Sequence, residues 1–210
     1  MMDNSPYAIS LKEIHRHTKR IKRKNLGKGI SPLSGSEPPY EPSKWNNREN
    51  IRQNHNCYSY VLNTIAGGRE GKPQPGYFSG FGPLTDKDYN CETFYQRLRK
   101  DIPSMYLTTF DQECHPGFYK GFIALDPKKE DQDYHFYRQD DSGMWSHKPG
   151  RTDAVNYDAD NKKITNPLKA NRNYTHFNYS VPCFFFCLNP KLSRSRSHSR
   201  QSTRNYFNYN

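Results

Sequence analysis

Cys57, His135 and His147 are the residues whose types and spacing fit nucleophilic acyl chemistry. Cys57 follows Asn56 at the start of an expected helix over 57–66. The unpaired N–H groups and positive dipole end of a first helical turn favour a thiolate there. The two histidines flank an expected hairpin. One strand reads Asp133-Tyr134-His135-Phe136-Tyr137-Arg138-Gln139, the turn Asp140-Asp141-Ser142-Gly143, and the return Met144-Trp145-Ser146-His147. A turn centred near Asp141 sets His135 opposite His147 and Tyr137 opposite Trp145, all on one side of the ribbon. In that arrangement Cys57 is the nucleophile, His135 the general base, and His147 the group that fixes the imidazole's tautomer.

Other residues compete for supporting roles. Gln53, four residues before Cys57, is the candidate oxyanion donor beside the Cys57 N–H, with Asn54, His55 and Asn56 as rivals or as simple caps. Asp133, Asp140, Asp153 and Asp158 are alternative orienting groups. The bland readings are a small apolar core cysteine and half-buried, hydrogen-bonded histidines. Cys57, Cys114, His115, His135 and His147 form a conceivable zinc set. No CxxC or HxxxH pair supports it, so neither metal nor cofactor is expected.

The elements that must position these groups follow from pattern. Val61, Leu62 and Ile65 make the apolar stripe of the first helix, and Gly67-Gly68 is its stop. A second helix over 91–100 follows Asn90, with Phe94 and Leu98 inward. Residues 69–89 read as a Gly/Pro loop. Strands are predicted near 104–109, 118–125, 133–139, 144–147 and 181–187. Helices followed by an antiparallel sheet indicate an α+β fold.

Net charge is +11, and all of it lies at the ends. Residues 1–30 carry eight Lys/Arg and two acids; residues 191–210 carry five Lys/Arg and no acid; residues 31–190 carry 19 of each sign. Lys19, Arg20, Lys22, Arg23 and Lys24 form one basic run, and Arg194, Arg196 and Arg200 punctuate a Ser/Arg tail. Such arms suit nucleic acid, anionic membrane or acidic protein surfaces. The expected organisation is an arm and Pro-rich linker over 1–46, a domain over 47–190 and a tail over 191–210. Apolar residues are 32% of the chain, so its 16 Tyr and 12 Phe must supply much of the burial. Five widely spaced cysteines, an odd number, suggest a reducing compartment and not a disulfide scaffold. No membrane span and no secretory signal are expected.

Several blocks resemble a family of proteins of large double-stranded DNA viruses, with bacterial relatives. They are Asn56-Cys57-Tyr58-Ser59-Tyr60, Gln74-Pro75-Gly76 with Ser79-Gly80, Asp133 to Asp140, Trp145-Ser146-His147-Lys148-Pro149-Gly150, and Ile164-Thr165-Asn166-Pro167 with Asp158. The likeness covers roughly residues 53–187. More distantly, the Cys–His–His order is similar to NlpC-like and CHAP-like cysteine peptidases and amidases. That resemblance implies a papain-like core with N-terminal helices packed on the sheet. It also implies cleavage or transfer of an amide or thioester acyl group by Cys57, His135 and His147. The usual Asp-Cys-Ser-Gly of those enzymes is Asn56-Cys57-Tyr58-Ser59 here, so the fold carries over better than the activity. The expected setting is a virion or the host cytoplasm. The alternative is a catalytically silent minor capsid or virion protein whose arms clamp neighbouring subunits or genome. A third reading, nucleic-acid packaging, rests on the arms alone.

Overall fold

A computed structural model describes residues 29–65, 72–128, 130 and 132–192, with Glu13 and Arg16 apart. The basic runs at 19–24 and 194–200 lie outside the described residues. Five strands form one antiparallel sheet: β1 Tyr106–Thr108, β2 Tyr119–Asp126, β3 Asp133–Gln139, β4 Trp145–Ser146 and β5 Val181–Leu188. Their order is β1-β5-β2-β3-β4. Among the described residues four α-helices precede or flank the sheet: α1 Pro42–Asn46, α2 Glu49–Asn54, α3 Cys57–Val61 and α4 Cys91–Asp101. The chain is thus α+β, with every strand falling inside or within one residue of its expected window.

Both faces of the sheet are covered. Every residue of β2 is buried, and β5 is a run of Phe and Cys without polar alternation, the pattern of a strand enclosed on two sides. On one face α3 and α4 pack through rings: Tyr58 on Phe136 at 5.4 Å, Phe94 on Tyr134 at 4.9 Å, Tyr95 on Phe184 at 5.9 Å. The opposite face stacks Phe122 on Phe185 at 4.8 Å, with Trp145 on Phe185 and Tyr137 on Phe122. Gly121 belongs to the helix-bearing face, where it pairs with Phe186: a Cβ there would stand 2.6 Å from the Phe186 ring.

Asn56 and Asn90 cap α3 and α4 as expected, accepting from Ser59 N and Thr93 N at 3.0 and 2.9 Å. α3 is shorter than the 57–66 window. It stops at Val61, and Asn63 takes a left-handed conformation (φ 50°). Gly67-Gly68 lie outside the described residues. The Gln74-Pro75-Gly76 and Ser79-Gly80 block is held by one carboxylate at the end of α4. Asp101, fully buried, accepts from Tyr58 Oη (2.7 Å), Gly76 N (2.7 Å) and Ser79 Oγ (2.8 Å).

Two expectations need correction. The segment 31–46 is no linker in the structure; it lies against the domain. Ser31 Oγ donates to Phe110 O at 2.7 Å, and Gln139 Nε2 donates to Ser31 O at 2.7 Å. The Glu37 carboxylate gathers the N–H groups of Ser34, Gly35 and Ser36 into a tight turn, and Trp45 is fully buried. Its prolines reduce chain freedom without preventing packing, because the segment takes its hydrogen bonds from the body. The cysteines also differ from expectation. Cys91 pairs with Cys183 and Cys114 with Cys187, while Cys57 stays free. An odd count hides two pairs and a remainder. These bridges argue against a reducing compartment. Both land on β5. β5 carries one extra residue against β2 between its pairings with Ile123 and Ala124, at Cys183, beside the helix-bearing face. Thus β5 is tied to α4 and, through Cys187, to the 109–117 loop.

Each bridge closes a long loop, with partners 92 and 73 residues apart. Replacing Cys91 and Cys183 together by serine should lower the unfolding free energy by roughly 2–5 kcal/mol. Urea unfolding without reductant measures this, and an unchanged midpoint would rule it out.

Candidate functional site

β3 and β4 bring the two histidines together, though not in the expected register. Arg138 pairs with Ser146 and Gln139 with Trp145. The ladder is therefore displaced by two residues from a turn centred near Asp141. A two-residue shift preserves the face, so His135 and His147 remain on one side as diagonal neighbours. His135 Nε2 lies 2.7 Å from His147 Nδ1. The far nitrogen, His147 Nε2, lies 3.0 Å from the carbonyl of Tyr157. That carbonyl only accepts, so His147 carries its proton on Nε2. A neutral His147 then accepts at Nδ1 from His135 Nε2, leaving His135 Nδ1 as the unprotonated nitrogen. The pair is thus a one-directional chain from β3 to the 157 loop.

Burial fixes its charge. Both rings are almost entirely inaccessible. Loss of solvent pushes His147 down to about 4. His135 is held well below the usual histidine range by burial and by the adjacent His147. Tyr179 stacks on His135 (centroids 5.0 Å, 27°), and its hydroxyl donates to Asp133 Oδ2 at 2.7 Å. Burial raises the Asp133 carboxyl to about 6.

Cys57 reaches the same stretch of β3 from α3. Its sulfur is 3.8 Å from the carbonyl of Tyr134 and also feels the N–H of Phe136. These edge groups flank His135 in the chain. Among the described residues no hydrogen bond joins Cys57 to His135. The side chain is 5% exposed, and burial, with Asp133 nearby, pushes the thiol up to about 12. Desolvation outweighs the first helical turn, and α3 has only five residues to contribute a dipole.

Gln53, on α2, lines a cavity of about 470 Å³ together with His147, Tyr157, Asp158 and Tyr174. Cys57 and His135 are not among its lining residues, so Gln53 and the sulfur do not share one chamber. The alternative orienters are engaged elsewhere. Asp140 pairs with Arg138 at 3.0 Å, Asp153 lies 3.9 Å from Arg52, and Asp158 caps a turn by accepting from Asp160 N and Lys162 N. Of the conceivable zinc ligands, Cys114 is in a disulfide and the His115 ring lies on Tyr106.

Sequence reasoning missed the residues that hold the dyad in place. The Trp145–Gly150 block is a set of anchors. Ser146 Oγ bonds the Tyr60 hydroxyl at 2.7 Å, and Lys148 Nζ donates to the carbonyls of Arg52, Gly150 and Thr152 at 2.7–2.9 Å. A lysine ringed by carbonyls of residues near and far leaves no periodic trace. Tyr179 had no signal either, because its role depends on a loop closing over β3.

No protein-family model matches this chain, and no solved structure matches it. Among curated proteins it is similar to Insoluble matrix shell protein 1 of Ruditapes philippinarum. The two are 34% identical over 137 residues, 63% of this chain and 80% of that protein. The chain belongs to the family of Insoluble matrix shell protein 1. Among the described residues no helix is long and apolar enough to cross a membrane.

The pH dependence of the dyad has a definite sign. His147 falls from an ordinary 6.5 to about 4 on folding. Between these values the unfolded chain binds more protons, so this group's contribution is complete above 6.5 and lost as pH falls toward 4. Asp133 and Asp140, raised to about 6 by burial, oppose it: their contribution is present at low pH and lost as pH rises through 6. Comparing the native chain with His147→Asn isolates the imidazole. Urea titrations from pH 6.5 to 4 should show a shallower loss in the variant; equal slopes would contradict the assignment.

Proposed function

We propose that this chain is a structural component of an insoluble extracellular matrix, built on an α+β scaffold of hydrolase-like ancestry and catalytically silent. The burial of Cys57 carries this reading. A nucleophilic thiol must ionise near neutrality and meet its substrate, and this one is neutral and enclosed. Two disulfides on β5 and kinship with a matrix shell protein support an oxidising setting outside the cell. In this proposal the neutral domain is the durable body, and the basic arms at 1–30 and 191–210 join it to neighbouring matrix proteins. The virion and cytoplasmic settings expected from the viral resemblance have no support in the disulfides or in this kinship. Nucleic-acid packaging rests on the arms, which lie outside the described residues.

One observation favours the rival reading, a cysteine peptidase or amidase of papain-like, NlpC-like or CHAP-like type. The tautomer chain leaves His135 Nδ1 unprotonated beside the strand segment that receives the Cys57 sulfur, the state a general base requires. Opening of the α3–β3 contact would be needed to expose them.

Thiol labelling separates the two. Treated with iodoacetamide at neutral pH, the native protein should leave Cys57 unmodified over hours, and urea without reductant should expose one reactive thiol per chain. Rapid native labelling of Cys57, faster than an ordinary free cysteine, would overturn the structural reading in favour of the hydrolase.

A further inference from the structure

The cavity beside His147 gathers positive charge. Residues 31–190 are neutral overall, yet four cationic side chains gather here. Arg52 and Arg151 line the cavity. Lys72 is depressed by burial and then by Arg151; Lys148 is depressed to about 8 by burial and then by Lys72, with Arg52 adding to it. Two carboxylates face them. Asp153 lies 3.9 Å from Arg52, with both side chains substantially in solvent, a geometry of little strength. Asp158 is committed to the backbone, accepting from Asp160 N, Lys162 N and Asn171 N. Lys148 is also committed, to three carbonyls. Among the described residues, Arg52 and Arg151 are left facing the cavity with Asp153 as their one loose counter-charge.

The remaining wall is polar and aromatic. Gln53 is half-buried, and its amide makes no hydrogen bond within the described chain. Tyr157 is 40% exposed, one of few large rings so placed. At about 470 Å³ the space is in the range of small-molecule sites. An inorganic anion would leave most of it empty. An acidic amino-acid side chain would use the guanidinium groups but neither the amide nor the ring.

We propose that this cavity binds a carboxylated sugar unit, with Arg52 and Arg151 holding the carboxylate, Gln53 and Asp153 meeting hydroxyls, and Tyr157 backing the ring. Planar donors and acceptors beside an exposed tyrosine suit a ligand carrying hydroxyls on a ring, and two guanidinium groups lining the same cavity suit its carboxylate. The site does not depend on Cys57, so it stands or falls separately from the structural reading above.

The test uses the full chain and monomeric probes, which avoid polyanion binding to the arms. Calorimetric titration with glucuronate should give saturable binding that weakens with added salt. Glucose, lacking the carboxylate, should bind at least roughly tenfold more weakly, about one charge-assisted contact's worth. The Arg52→Gln/Arg151→Gln variant should lose glucuronate binding by a similar factor while keeping its unfolding midpoint. If that variant fails to fold, Tyr157→Ala, altered at an exposed ring, should show the loss instead. Equal binding of glucose, tighter binding of N-acetylglutamate, unchanged binding by a folded variant, or no saturable binding would each overturn the proposal.

Discussion

Enclosure of the sheet on both faces is the constraint from which the other properties descend. β2 and β5 have no solvent side: helices and their aromatic residues cover one face, and loops with the 31–41 segment cover the other. Any ionisable group on the inner strands must therefore give up its charge or be fully hydrogen-bonded. The molecule does both. Lys120 on β2 is depressed to about 8 by burial and donates to Ser31 Oγ at 2.6 Å and Phe110 O at 3.2 Å. Arg138 sits over the Tyr60 ring at 4.2 Å and pairs with Asp140. His135 and His147 remain neutral and share one hydrogen bond, with the second nitrogen of His147 on the Tyr157 carbonyl.

The same constraint separates geometry from chemistry at Cys57. The Cys57 sulfur meets the backbone of β3 at the Tyr134 carbonyl, and the same strand carries the polarised imidazole of His135. Solvent exclusion reverses the meaning of this geometry. In a low-dielectric interior the thiolate is the costly form, and the short α3 helix cannot compensate. The His–His pair then acts as a buried polar clamp between β3 and the 157 loop, of the kind that fixes one packing arrangement when every member is satisfied.

The disulfides complete this picture from outside the sheet. A central strand held to α4 by one bridge and to the 109–117 loop by the other limits independent movement of the two covering layers. Because each bridge spans most of a hundred residues, the unfolded chain loses much of its freedom. A domain stabilised in this way suits a durable body, and the uncommitted polar features then stand out by contrast. The cavity at Arg52 and Arg151 is one place where, among the described residues, charge is answered only loosely, by Asp153 at 3.9 Å from Arg52.

The sequence alone determined the strands, the two capped helices, the α+β order and the shared face of His135 and His147. Those depend on local rules: Asn caps, period-two alternation and a hairpin parity that survives a two-residue slip. It also placed Gln53, Cys57 and the histidines as the residues to watch. Tertiary structure decided what they do. Whether four cysteines pair, whether a Pro-rich stretch packs, whether a thiol meets water and which group orients an imidazole all depend on contacts between residues distant in the chain. Desolvation is set by what covers a residue, and no spacing of letters encodes that cover.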